Sequence, residues 1–186
     1  MNGGETREGR TTELLRAISF AAEKHRDHRR KGAIAAPYIN HPITVAQQLA
    51  EAGCEHDTDL LMAAVLHDVI EDTDSTEEEL RALFGTRVAG IVMEVTDDKA
   101  LRSSERKALV VKHIAGKSRE ARLLKLSDLI ANVYDVIHNP PNWQPERKRN
   151  YFDWGERVVN AMRGIHPALE RRFAELLDEA RRGLGD

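Results

Sequence analysis

The run Leu60-Leu-Met-Ala-Ala-Val-Leu66 constrains this chain more than any other segment: it is apolar at every position and ends on His67-Asp68. With Val69 and Ile70 it covers nearly the whole circumference of a helix, so a helix from about Asp57 through Ile70 must be enclosed on all sides. The run is far shorter than the roughly 20 residues that span a bilayer, so the enclosure is protein. An ionised Asp at the end of such a helix carries a desolvation cost of several kcal/mol unless something compensates it. A divalent cation would do so, and imidazole with carboxylate oxygens suits Mn²⁺, Fe²⁺ or a related ion with open positions.

The rest of the chain supplies the enclosing helices. From Thr11, Leu14, Leu15, Ile18 and Ala22 recur at helical spacing, and the cations Lys24 to Lys31 before Gly32 fit a helix C-terminus. Ala33 to Asn40, with Pro37, reads as a loop delivering His41 and Pro42 to a second helix that reaches about Ala52 and stops at Gly53. Ser75-Thr-Glu-Glu78 has capping-box form and opens a short helix ending at Phe84-Gly85. Val88 to Val95 and Ser104 to Ala115 are further helical segments, separated by a polar loop, Thr96 to Lys99. A long helix spans Glu120 to His138, Pro145 opens another that runs through Met162, and His166 to Arg182 closes the chain. No repeat or alternating strand pattern is present, which predicts an all-α bundle.

Length and charge narrow the function. At 186 residues the chain suits one domain, 11–186, behind a Gly-rich, charged tail over 1–10 that is expected to be flexible. With 41% hydrophobic, 32% charged and 5% aromatic residues it suits amphipathic helices. A net charge of −3 argues against nucleic-acid binding through an overall field, so phosphate recognition must be local. The single Cys54 can form neither an internal disulfide nor a thiolate zinc site, and reads as a small buried side chain. Nothing resembles a signal peptide or a membrane anchor, so a cytoplasmic location is expected.

A His-Asp dipeptide alone is commonplace: the imidazole could bond a carbonyl and the carboxylate cap a helix. Three other segments give it weight, namely His41 at a loop-to-helix junction, Asp128 in a buried-looking helix, and Glu71-Asp72 one turn beyond Asp68. In a continuous helix Asp68 and Asp72 are i, i+4, as are His67 and Glu71, and the four are expected to line one cavity. On the later helix Leu126, Ile130, Val133 and Ile137 form an apolar stripe, with Asp128, Asn132 and Asp135 roughly opposite. Periodicity leaves open whether that polar stripe is a solvated face or a polar pocket in a buried one.

With these residues assembled, the sequence resembles the HD-domain superfamily, whose pattern H…HD…D corresponds to His41, His67-Asp68 and Asp128. More narrowly it resembles the hydrolase domain of RelA/SpoT-type enzymes and their stand-alone alarmone hydrolase relatives, over about residues 11 to 180. The matching stretches are His25-Arg-Asp-His-Arg-Arg-Lys31, Pro37-Tyr-Ile-Asn-His-Pro42, Leu66-His-Asp-Val-Ile-Glu-Asp-Thr73, Val95-Thr-Asp-Asp-Lys99, Leu124-Lys-Leu-Ser-Asp128 with Asn132, and Arg147 to Trp154. The resemblance implies an HD-type helical bundle with a metal site in a central cleft, usually holding Mn²⁺. It implies hydrolysis of the 3′-pyrophosphate of guanosine 3′,5′-bis(diphosphate) and its pentaphosphate form. His41, His67, Asp68 and Asp128 would be the metal ligands, Glu71 and Asp72 the catalytic carboxylates. Arg30, Lys31, Tyr38, Lys99, Asn132, Arg147 and Tyr151 would contact substrate. One departure stands out: relatives commonly carry Asp-Lys-Leu-x-Asn where this chain has Asp128-Leu129-Ile130-Ala131-Asn132. A site of this kind could instead remove the 2′-phosphate of NADPH or cleave another nucleotide. A non-catalytic nucleotide-binding module would have lost a ligand or the Glu-Asp pair, and neither is lost.

Overall fold

The computed structural model describes residues 7–32 and 34–185, so residues 1–6, most of the expected tail, and Ala33 in the expected loop lie outside the described residues. Nine α-helices are described: α1 (Arg7–Lys24), α2 (Asn40–Leu49), α3 (Thr58–Leu66), α4 (Val69–Asp72), α5 (Glu77–Val95), α6 (Ser103–His113), α7 (Arg119–His138), α8 (Pro145–Ala161) and α9 (Pro167–Leu184). No strand is present among the described residues. None of the described helices is long and apolar enough to cross a membrane.

Helix α3 is the enclosed element that its composition requires. All seven residues from Leu60 to Leu66 are buried, and α1, α2 and α5 pack around them. Burying a Leu or Val side chain is worth about 1.5–3 kcal/mol, so this short segment contributes a large share of the core. The second hub is α7, which packs on α9, α2, α5 and α8. Its interior decides the question that periodicity leaves open: Ser127 and Asp128 are buried along with Leu124, Leu126, Leu129 and Ile130, so Asp128 belongs to a polar pocket in a buried helix.

Local signals place most of the ends. The Asp57 carboxylate caps α3 by accepting from the Leu60 N–H at 3.1 Å. After α2, one wider turn over Ala50–Cys54 reverses the chain at Gly53. Helix α5 bends at Gly85, whose φ of +89° an L side chain would resist, so the expected stop at Phe84-Gly85 survives as a kink. Its cap is one residue later than the Ser75 pattern predicts: Thr76 Oγ1 accepts from the Glu79 N–H, while Ser75 is buried against the Thr73 hydroxyl. Helix α1 begins at Arg7, four residues before the apolar pattern. Cys54 is half-buried rather than enclosed, and burial pushes its thiol pKa up.

The departure that matters most is at the end of α3. The predicted helix through Ile70 is interrupted at His67-Asp68, where Asp68 adopts φ −100°, ψ −4° before the four-residue α4. A continuous helix would have sent the two side chains along one cylinder. The corner turns both inward, towards α2 and α7.

Candidate active site

The interior corner holds a cluster of side chains from three elements. His41 comes from the first turn of α2, behind the loop that Pro37 interrupts. Its Nε2 lies 3.2 Å from Asp128 Oδ1 and 3.9 Å from Asp68 Oδ2. His67 Nε2 lies 3.0 Å from Asp68 Oδ2 and 3.8 Å from Asp128 Oδ1. One ligand atom from each of His41, His67 and Asp128 falls within 4.8 Å of the others, close enough to hold one ion. Asp68 Oδ2 sits beside both imidazoles.

The hydrogen bonding around the cluster fits a cation. His67 Nδ1 is 2.8 Å from the Ala64 carbonyl, which fixes the ring and its tautomer and turns Nε2 towards the carboxylates. That Nε2 is buried and makes an aligned hydrogen bond to neither of them. Tyr38 Oη donates to Asp68 Oδ2 at 2.5 Å. Asn132 Nδ2 donates to Asp128 Oδ1 at 2.5 Å, and Lys125 Nζ to Asp128 Oδ2 at 3.1 Å. Each carboxylate is thus oriented by a donor from outside the cluster.

The charges point the same way. Burial alone would raise both carboxyl pKa values, but His67 beside Asp68, and Lys125 with the two histidines beside Asp128, hold both well below the usual range. Burial would lower His67, yet the two carboxylates outweigh it and push its pKa up to about 9. Burial dominates at His41 and keeps that imidazole neutral. Asp128 likewise outweighs burial at Lys125 and keeps its ammonium charged. Without an ion, two anions are balanced by the His67 proton and Lys125. A dication replacing that single proton leaves the site one charge more positive, suited to an anionic ligand.

Beside the cluster opens a cleft of about 680 Å³, lined by Arg30, Lys31, Tyr38, Asp72, Asn132 and Tyr151 among others. Five of the seven sequence-predicted contact residues therefore share one wall system. Arg30 bridges it, donating from Nη2 to Asn132 Oδ1 and from Nε to Asp135 Oδ2, each at 2.8 Å. The other two stand at its edge: Lys99 pairs with Asp72 at 2.6 Å, and the Arg147 guanidinium covers the Trp143 ring at 4.4 Å. Gly32 is where the α1–α2 loop meets the end of α7; a Cβ there would overlap Asn139, which also accepts from the Ile34 N–H.

The expectation that His67, Asp68, Glu71 and Asp72 line one cavity is corrected. On the single turn of α4, Asp72 faces the cleft, whereas the adjacent Glu71 is turned to Arg106 on α6 at 3.3 Å and is not in the cleft wall. Burial and the neighbouring Asp68, Asp97 and Asp72 charges raise its carboxyl pKa. Leu129, the departure from the family pattern, points away from the site: it is 1% exposed and faces Gly155 of α8. Trp154 is core, its Nε1 donating to the Lys107 carbonyl. Residues outside the predicted set also join the site, among them Lys125, Trp143, His28 and Asp135. Lys125 carries a signal of spacing, i−3 from Asp128; Trp143, in an irregular proline-rich segment, carries none.

Comparison with known proteins agrees with this geometry. Residues 17–137 match the HD domain family. The chain is 44% identical to the zebrafish (Danio rerio) guanosine-3′,5′-bis(diphosphate) 3′-pyrophosphohydrolase MESH1, covering 91% of this chain and 94% of that protein. It is 43% identical to the human protein of the same name, over 92% and 96% of the two chains. It also superposes with a TM-score of 0.87 on a solved structure described as a metazoan orthologue of SpoT that hydrolyses ppGpp and plays a role in starvation responses. There the identity is 43%, covering 92% of this chain and 96% of that one.

Proposed function

The chain belongs to the HD-domain family, within the group of the MESH1 pyrophosphohydrolases, and from that premise we propose that it hydrolyses the 3′-diphosphate of guanosine 3′,5′-bis(diphosphate) and its pentaphosphate form with Mn²⁺. The observation that carries the reading is the cleft of nucleotide size whose Tyr38 and Asn132 walls are bonded directly to Asp68 and Asp128 of the histidine-carboxylate cluster.

In this reading His41, His67, Asp68 and Asp128 hold the ion. A divalent ion there supplies Lewis acidity, polarising a phosphoryl oxygen and acidifying water. The residues of the chain do the rest. Ala64, Tyr38, Asn132 and Lys125 hold His67, Asp68 and Asp128 in place, and such supporting contacts commonly carry 10–100-fold in affinity or activity. Arg30 presents its guanidinium at the cleft while anchored on Asn132 and Asp135, and Lys31, Lys99 and Arg147 add cations for an anionic nucleotide. Tyr151 and Trp143 offer aromatic faces at 5.6 Å from each other. Asp72, paired with Lys99, orients attacking water from the cleft side. Glu71, with its raised pKa, holds or takes a proton on the Arg106 side.

The test is pyrophosphate release from the tetraphosphate and pentaphosphate by purified protein with Mn²⁺, against a His67→Ala/Asp68→Ala control, with orthophosphate release from NADPH followed in parallel. Turnover of both guanosine alarmones above the control is expected. NADPH turnover with the alarmones untouched, or no turnover above the control, would sink the reading.

A further inference from the structure

His25 takes no part in the reaction as described, yet it is built into the site. It follows the end of α1, is 2% exposed, and its N–H bonds the Ala21 carbonyl. Its Nδ1 lies 3.0 Å from Nδ1 of His28, and His28 lines the 680 Å³ cleft. Two imidazoles that meet through Nδ1 share one proton between those atoms, so one donates and the other accepts. The ring of His25 packs on Tyr38, centroids 4.8 Å apart and planes 36° from parallel, and Tyr38 is the residue that bonds Asp68. His25 Nε2, on the other side of Cε1, is buried and has no hydrogen-bond partner in the protein. Among the described residues one other buried side-chain nitrogen shares this condition, His67 Nε2 of the cluster itself. An unpaired buried nitrogen is costly and calls for a reason. Burial keeps His25 neutral, and the attractive charges within its reach are Asp68 and Asp72.

We propose that His25 is a positioning residue of the hydrolytic site: its Nε2 hydrogen-bonds the water that the Asp68 and Asp72 carboxylates draw in, with His28 setting the tautomer and the Tyr38 ring packed against the imidazole. The role rests on the hydrolytic function proposed above. It makes Nε2 the working atom, which three substitutions separate. His25→Gln places an amide near Nε2, His25→Asn places one near Nδ1, and His25→Phe keeps only the ring.

The assay is steady-state pyrophosphate release, with Mn²⁺ affinity by calorimetry and melting temperature measured on each variant. His25→Gln is expected to keep kcat within about threefold of the parent. His25→Asn and His25→Phe are expected to lose roughly 10–100-fold in kcat, the range for groups that orient ligands, with KM and Mn²⁺ affinity within about threefold. Full activity in His25→Phe would overturn the role, as would rescue by Asn but not Gln. If His25→Phe fails to fold, the Gln-against-Asn comparison still decides, and equal loss in those two overturns the role. In parent protein with ¹⁵N-labelled histidine, the His25 Nε2 resonance should move when diamagnetic Mg²⁺ and substrate are added; a fixed resonance also overturns it. No pyrophosphate release from the parent would remove the functional reading and this role together, whereas release with His25→Phe at full rate removes this role alone.

Discussion

Metal binding and protonation compete for one atom, His67 Nε2, and the competition has a calculable size. Without an ion, the Asp68 and Asp128 carboxylates hold His67 protonated up to a pKa of about 9. A cation can use Nε2 only after that proton leaves, so apparent affinity should weaken about tenfold per pH unit below 9. At pH 7 the penalty is roughly 100-fold, or about 2.7 kcal/mol at 1.36 kcal/mol per tenfold step. Titrating metal-free protein with Mn²⁺ in a calorimeter between pH 6.5 and 8.5 reads the slope. Repeating the titration in buffers of different ionisation enthalpy counts the protons. The expected outcome is a dissociation constant falling about tenfold per unit, with close to one proton released per ion at pH 7. The same shift sets the stability of the metal-free protein. Because the folded pKa lies above the ordinary 6.5, the stabilisation is fully present below pH 6.5 and is lost as pH rises through 9. A flat affinity profile, or no proton release at pH 7, would refute the account of Nε2 as the contested ligand atom.

Two further outcomes follow from the placement of side chains around the cluster. Restoring the family cation with Leu129→Lys should bury an unpaired ammonium facing Gly155, costing about 3–5 kcal/mol and lowering the melting temperature by roughly 10 °C without tightening substrate binding; an unchanged melting temperature with a lower KM would contradict the inward orientation. Asp72→Asn and Glu71→Gln should each lower kcat by about 10²–10⁴-fold, but only Asp72→Asn, which loosens Lys99 at the cleft, should also raise KM. Equal effects of the two on KM would contradict their placement on different faces of α4.

What the sequence by itself determined is everything carried by local chemistry. An unbroken apolar run demands enclosure, Asp57 before Thr58 starts a helix, and the Pro140-Pro141 pair and Gly53 stop others, so the all-helical fold and most helix ends were legible residue by residue. So were the types of the clustered side chains, since an Asp next to His67 at the end of a buried helix needs a counter-charge wherever it lies. The tertiary structure decided direction. Propensity and periodicity favour a continuous helix through Ile70, but the helix is interrupted at His67-Asp68, and on the single turn that follows Asp72 takes the cleft side and Glu71 the Arg106 side. His25 beneath Tyr38, and Arg30 between Asn132 and Asp135, were likewise decided there. Each is a meeting of side chains set by how helices and loops pack, and packing is a long-range property that no spacing along the chain encodes.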